Sequence, residues 1–358
     1  MTAPRLDRGQ RPDGADFPDC KRTFMEFNVL PGARAPYGIR NGAGPRRAVA
    51  GMVASTYVSG AESEGAYTLH MLTGAKGSGL PLLSHSEAHV TLYVLDGALE
   101  LVLDGQRYRM GRGDSALVPA GTAYGFVMTR ARTVLMAYAT ATALDSLLAG
   151  APYDGFIPAE DDATGPADLL KGDFPGTTVL GALPEGTDFA EALTTLPETS
   201  VPYVLEAGMG ERLLVADQLF TFVAGNRQTG DQYLSVMTQG PQGDMIPPHK
   251  HLLHDELFFC LDGAMRLKAG DELIELAPGD FCFVPRGTPH AYQFLRPFTN
   301  MIGWLQPGIF EPFFHTLGDP TELTRYPQTP APFRFDRVIA KLDELDIVPL
   351  GRPPEAGA

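Results

Sequence analysis

His249, His251, Glu256 and His290 have the residue types and spacing of a metal centre. His249 and His251 are two positions apart, so on a strand both side chains leave the same face. Glu256 follows at the head of the apolar run Leu257-Phe258-Phe259, and His290 arrives from a distant turn, Pro285-Arg286-Gly287-Thr288-Pro289-His290. A lone histidine is usually structural, but four ligand-type side chains among Gly- and Pro-marked turns are not. Three imidazoles and one carboxylate suit one divalent transition ion per chain, whether Fe, Mn, Co, Ni or Cu, with coordination positions left for substrate or oxygen. Phe258 and Tyr292 stand two residues past Glu256 and His290, hence on the same inward faces if the strands are regular. They suit contact with an apolar, aromatic substrate and serve equally well as core.

The elements that must position these groups are strands. Alternating segments such as Ala98–Leu103 and Ala264–Ala269 run into Asp-Gly or Gly-Asp turns, and the chain carries 40 Gly and 31 Pro. Regularly spaced short strands of this kind predict an all-β fold of small antiparallel, double-sheet jelly-roll barrels. Helical periodicity is confined to Ala143–Leu148, the stretch around Phe310–Leu317, and Phe335–Leu345.

One shift of 166 positions, the interval from Pro36 to Pro202, superposes the two halves of the sequence. Pro36-Tyr37 matches Pro202-Tyr203, Tyr67 matches Tyr233, and Met71 matches Met237. Leu95-Asp96-Gly97 matches Leu261-Asp262-Gly263, Gly113-Asp114 matches Gly279-Asp280, and Gly121-Thr122 matches Gly287-Thr288. The chain is therefore a duplication. We divide it into an arm (1–35), a first barrel (36–150), a connector (151–200), a second barrel (201–318), and a C-terminal helix and tail (319–358). The stretch 159–200, rich in Gly, Pro, Thr and acids, reads as linker, with a lid role left open. The same shift carries the four ligands onto Leu83, His85, Val90 and Tyr124, so the first barrel has lost most of its ligands. His85, Glu87 and His89 offer a rearranged cluster as the alternative to buried or hydrogen-bonded histidines.

A net charge of −15, with no basic run, excludes nucleic acid and anionic membrane as partners. No stretch reaches the roughly 18 consecutive apolar residues of a membrane span, and the polar start MTAPRLDRGQRPDG lacks a secretory h-region. Cys20, Cys260 and Cys282 form no CxxC, and the latter two sit in apolar runs. Small buried hydrophobes in a reducing cytoplasm are expected.

The stretch Gly243-x5-His249-x-His251-x4-Glu256-x6-Gly263 resembles the first cupin motif, and Gly279-x5-Pro285-x-Gly287-x2-His290 resembles the second, with Phe294 in place of a trailing Asn. The Pro-Tyr opening of each half, Asp217–Phe222, the Tyr233…Met237 strand and the H-x-H-x2-H-x-E-x-F-F core resemble the quercetin 2,3-dioxygenase family of bicupins. That resemblance implies two tandem cupin barrels and a metal-dependent dioxygenase that splits the central ring of a flavonol with O2, releasing CO. It implies Glu256 as general base as well as ligand, and Phe220, Phe222 and Met237 as pocket residues, each of which serves equally well as core. His254 matches a motif position and is expected beside the ligands or at the surface rather than as a fifth ligand. A homodimer is expected. The alternatives are an oxygenase or decarboxylase acting on another phenol, enol or small acid, and a non-catalytic ligand-binding bicupin. A small dianionic acid would need an arginine in the pocket, for which Arg266 and Arg286 are the candidates.

Overall fold

The computed structural model describes residues 28–158 and 165–350. Cys20 and the N-terminal residues read for a signal lie outside them. Four antiparallel sheets form two double-sheet barrels, each with one eight-stranded and one five-stranded sheet.

In the second barrel the large sheet centres on Asp255–Asp262, which pairs with Phe281–Val284 on one side and Thr299–Gln306 on the other. The small sheet runs Glu272–Leu276, Met265–Ala269, His290–Phe294, His249–Lys250 and Val348–Pro349. The first barrel repeats this plan with the same register: Tyr124 lies opposite Leu83, as His290 lies opposite His249.

Each half, counted from its Pro-Tyr opening at 36 or 202, lends its first strand to the other. Tyr37–Ile39 extends the large sheet of the second barrel through Phe281–Phe283, and Tyr203–Leu205 extends that of the first through Ser115–Leu117. The repeated tyrosines anchor the exchange: Tyr37 Oη donates to the carbonyl of Tyr57 and Tyr203 Oη to that of Val223, both at 2.6 Å. The repeated Gly-Asp turn receives the lent strand. Gly279 has φ +91° and Gly113 φ +92°, and a Cβ on Gly279 would lie 2.3 Å from the Asn41 side chain. Only glycine meets both demands.

The large sheets of the two barrels pack face to face on one shared core, which includes Tyr57, Tyr67, Tyr138 and Tyr203 with Tyr233, Phe259, Phe281 and Trp304. Tyr138 stacks on Tyr67 and on Trp304, with centroids 5.7 and 6.0 Å apart. Cys260 and Cys282 are free and buried, as expected of small hydrophobes.

The helices are short: Ala143–Leu147, Asn226–Thr229, Glu311–Leu317 and Phe335–Ile339 among the described residues. The predicted helix Phe335–Leu345 thus stops early and continues as turns before a terminal strand, Val348–Pro349. The connector is also more than a linker, since its strand Thr177–Gly181 joins the small sheet of the first barrel along Leu82–His85. No helix among the described residues is long and apolar enough to cross a membrane.

Candidate metal centre

Strand pairing brings the four predicted ligands together between the two sheets of the second barrel. His249 and His290 face each other across the small sheet, and Glu256 projects from the large sheet. The rings of His249, His251 and His290 have centroids 4.4–5.1 Å apart, and their ligand atoms lie within 4.8 Å of one another. Glu256 Oε2 is 2.8 Å from His290 Nε2, and its Oε1 is 3.6 Å from His251 Nε2.

Each imidazole is aimed through its other nitrogen. Nδ1–H donates to the carbonyl of Pro247 from His249 (2.9 Å), of Asp346 from His251 (2.5 Å), and of Thr288 from His290 (3.0 Å). A carbonyl only accepts, so Nδ1 carries a proton, and in the neutral imidazole Nε2 keeps its lone pair. The Nε2 atoms of His251 and His290 are buried with no hydrogen-bond partner, the latter being out of line with its close carboxylate oxygen. Buried polar atoms rarely stay unpaired, and a divalent ion at their focus would satisfy them.

The protonation states also fit a metal. Burial, reinforced by His290, lowers the His249 imidazole to about 4, and burial lowers His251 to about 3. Burial would raise the Glu256 carboxyl, but the neighbouring His251 and His290 hold it well below the usual carboxylate range. Neutral His249 and His251 beside an ionised Glu256 are the forms that bind a cation.

His254 lies beside the ligands, fully buried. Its Nδ1 donates to Asp346 Oδ2 at 2.7 Å, and its Nε2, 3.8 Å from Glu256 Oε1, is unpartnered. Asp346 went unnoticed in the sequence because it sits 90 residues past Glu256 in a stretch read as helix end. Burial raises its carboxyl, yet hydrogen bonds from His254, Leu252 and Leu253 bring it down to about 2. Behind Glu256, the buried Asp255 ties the halves together. It pairs with Arg34 and accepts from Tyr67 Oη (2.9 Å) and the Arg286 amide (2.9 Å).

A cavity of about 680 Å³ opens onto the site, within the range of small-molecule pockets. His249, Glu256 and His290 reach its wall beside Phe220, Phe258, Tyr292, Phe310, Phe313 and Phe333. Tyr292 Oη donates to Gln218 Oε1 at 2.6 Å, a polar pair on a wall that is mostly aromatic and aliphatic. Two expected contacts are absent from this wall. Met237 points to the opposite face of its strand, into the shared core, where Tyr93 Oη donates to its Sδ at 3.4 Å; Val236 and Thr238 line the cavity instead. Phe222 lies beyond the cavity, packed edge-on against Phe314 and stacked on His315. Phe310, Phe313 and Gln218 were missed, the first two because they belong to a segment after the barrel that folds back over its mouth.

The first barrel is filled at the matching positions. Leu83, Val90 and Tyr124 are fully buried in its core. His85 spends both nitrogens, on Tyr124 Oη and Thr177 Oγ1, each at 2.8 Å. Glu87 is exposed, and no metal-type group forms from His85, Glu87 and His89 among the described residues.

The family model for the cupin domain matches residues 70–138 and 235–296. The chain is 38% identical over 327 residues to a quercetin 2,3-dioxygenase of Bacillus subtilis (strain 168), covering 89% of this chain and 96% of that protein. It is 33% identical over 144 residues to a quercetin 2,3-dioxygenase of Aspergillus japonicus, covering 38% and 41%. Among solved structures, oxalate decarboxylase from Bacillus subtilis superposes with a TM-score of 0.51 at 15% identity over 77% of this chain and 76% of that one, a likeness of fold.

Proposed function

The chain belongs to the quercetin 2,3-dioxygenase family of bicupins, and from that premise we propose that its second barrel alone carries the reaction, at one metal held by His249, His251, Glu256 and His290. It is a metal-dependent dioxygenase of the flavonol-cleaving type, opening the central ring with O2 and releasing CO and a phenolic ester. The observation that carries the single-site reading is the contrast between the barrels. Unpartnered imidazole nitrogens face Glu256 at the base of an aromatic cavity in the second, whereas Leu83, Val90 and Tyr124 close the first.

A divalent transition ion bound by these four residues supplies Lewis acidity, which lowers the pKa of a flavonol hydroxyl set beside its carbonyl. The remaining steps belong to the protein. Glu256, ionised and on the cavity wall, accepts that hydroxyl proton on a carboxylate oxygen. Phe258 and Tyr292, centroids 6.3 Å apart, hold the flat substrate against the site. Phe310 and Phe313, stacked 4.4 Å apart, keep water from the reacting ring. The cavity disfavours a small dianionic acid, because no Lys or Arg among the described residues lines it. Arg266 pairs with Glu275 and Arg286 with Glu64, both away from it.

Metal analysis of the purified chain, with a flavonol absorbance assay taken from anaerobic to aerobic conditions, tests the reading. One metal per chain and oxygen-dependent loss of the flavonol band are expected. Full activity in a His249→Ala/His290→Ala variant would overturn the site, and two tightly bound metals per chain would overturn the metal-free first barrel.

A further inference from the structure

The histidines beside Glu256 are held by a part of the chain that contains no ligand. Val348–Pro349 pairs antiparallel with His249–Lys250, and the Leu350 amide donates to Pro248 at 2.8 Å. At the head of this returning segment, Asp346 collects five donors. Its backbone carbonyl takes His251 Nδ1–H. Its carboxylate takes the amides of Leu252 (2.9 Å), Leu253 (3.0 Å) and His254 (3.2 Å), and His254 Nδ1–H (2.7 Å). With Nδ1 committed on both rings, His251 and His254 turn Nε2 toward one carboxylate oxygen, Glu256 Oε1, at 3.6 and 3.8 Å. The His254 side chain is wholly buried, and its Nε2 has no hydrogen-bond partner.

We propose that Asp346 is a positioning residue of the metal centre. Its seat at the loop 252–254 fixes the aim of His251, and its carboxylate holds the His254 ring against Glu256. The proposal rests on the reading that His249, His251, Glu256 and His290 hold a metal. A partner that locks the far nitrogen of a ligating histidine spares the cost of ordering the ring when the ion arrives, and such partners are worth 10- to 100-fold in affinity. A cap that only tidied the loop would contribute to folding and leave metal affinity alone.

The test is titration of the metal-stripped full-length chain with Co2+, reading the dissociation constant and the visible d–d spectrum, beside the melting temperature of the metal-free protein. Asp346→Ala is expected to weaken Co2+ binding about 10- to 100-fold and to alter the spectrum. Asp346→Asn keeps an oxygen for the loop amides but loses the anionic partner of His254, and is expected to weaken binding about five-fold or more. Unchanged affinity, within a factor of about two, in folded Asp346→Ala overturns the proposal. Should that variant not fold, the same result in Asp346→Asn overturns it. A parent chain that binds no Co2+ overturns the metal-site reading itself, and a chain that binds Co2+ yet leaves flavonol intact refutes only the substrate.

Discussion

Replacing Asp280 by Ala should destabilise the whole molecule, and by more than the same change at Asp114. Asp280 is 4% exposed. Its Oδ1 accepts the Asn41 amide at 3.0 Å, and its Oδ2 accepts the Ala277 amide at 3.0 Å and Arg40 Nη1 at 2.6 Å. Asp114 accepts the Ala207 and Gly111 amides at 2.9 and 2.7 Å, and is less buried. A hydrogen bond to an ionised group contributes about 1.5–3 kcal/mol, whereas a half-exposed ion pair adds about 0–1 kcal/mol. The loss is therefore about 4 kcal/mol for Asp280→Ala, and about 2.5 kcal/mol for Asp114→Ala, whose bonds are nearer water. Trp304 is the sole tryptophan and is wholly buried in the core shared by the barrels, so its fluorescence in a urea titration reports the loss. A cost below about 1 kcal/mol at Asp280, or a larger cost at Asp114, would refute the claim that the Gly-Asp turn locks the exchanged strands.

Burial lowers the His85 imidazole to about 4 from its usual 6.5. Below 6.5 the unfolded chain binds a proton that the folded chain refuses, so stability is full above that pH and falls as pH drops toward 4, by up to about 3 kcal/mol. His85→Gln should flatten that part of the slope in urea midpoints between pH 7 and 4.5; an unaltered slope counts against it. Phe258→Ala removes an aromatic wall and should raise KM for flavonol about ten-fold, while Met237→Leu, on the far face of its strand, should leave KM unchanged in steady-state assays. Glu256→Gln should lower turnover per bound metal about 10²- to 10⁴-fold, read by single-turnover loss of flavonol absorbance; retained turnover would remove Glu256 as the base.

The candidate ligands were legible because a ligand must be one of few residue types, and strand alternation with a fixed turn constrains where such residues stand. The repeat was legible for a similar reason, since Gly279 and Gly113 occupy positive-φ positions that exclude other residues. Pairing between distant segments was not. Three-residue strands such as Tyr37–Ile39 carry no mark of which sheet edge receives them, and the exchange showed only in the repeated Pro-Tyr and Gly-Asp whose contacts it explains. Met237 fails as a pocket residue because its strand is buried on both faces, one toward the cavity and one toward the other barrel, and each face mixes apolar with polar side chains. Alternation cannot then say which face a side chain takes.

The returning segments explain how the first barrel can hold a histidine at the position that matches His251. His85 and His251 are equivalent under the repeat, and in both halves a later stretch folds back along the strand that leads to them. Thr177 meets His85 Nδ1 in the first barrel, and the Asp346 carbonyl meets His251 Nδ1 in the second. The restraint on the ring is thus common to both barrels, although the two returning stretches share no sequence that reveals it. What differs is the far nitrogen: Tyr124 Oη satisfies Nε2 of His85, while Nε2 of His251 is left facing Glu256. Because an imidazole satisfied at both nitrogens has no lone pair to offer, restoring Glu at position 90 alone would not create a second centre. Tyr124 would first have to give up its hold on His85, and a Tyr124→His change would be required along with Val90→Glu and Leu83→His before the first barrel could bind Co2+.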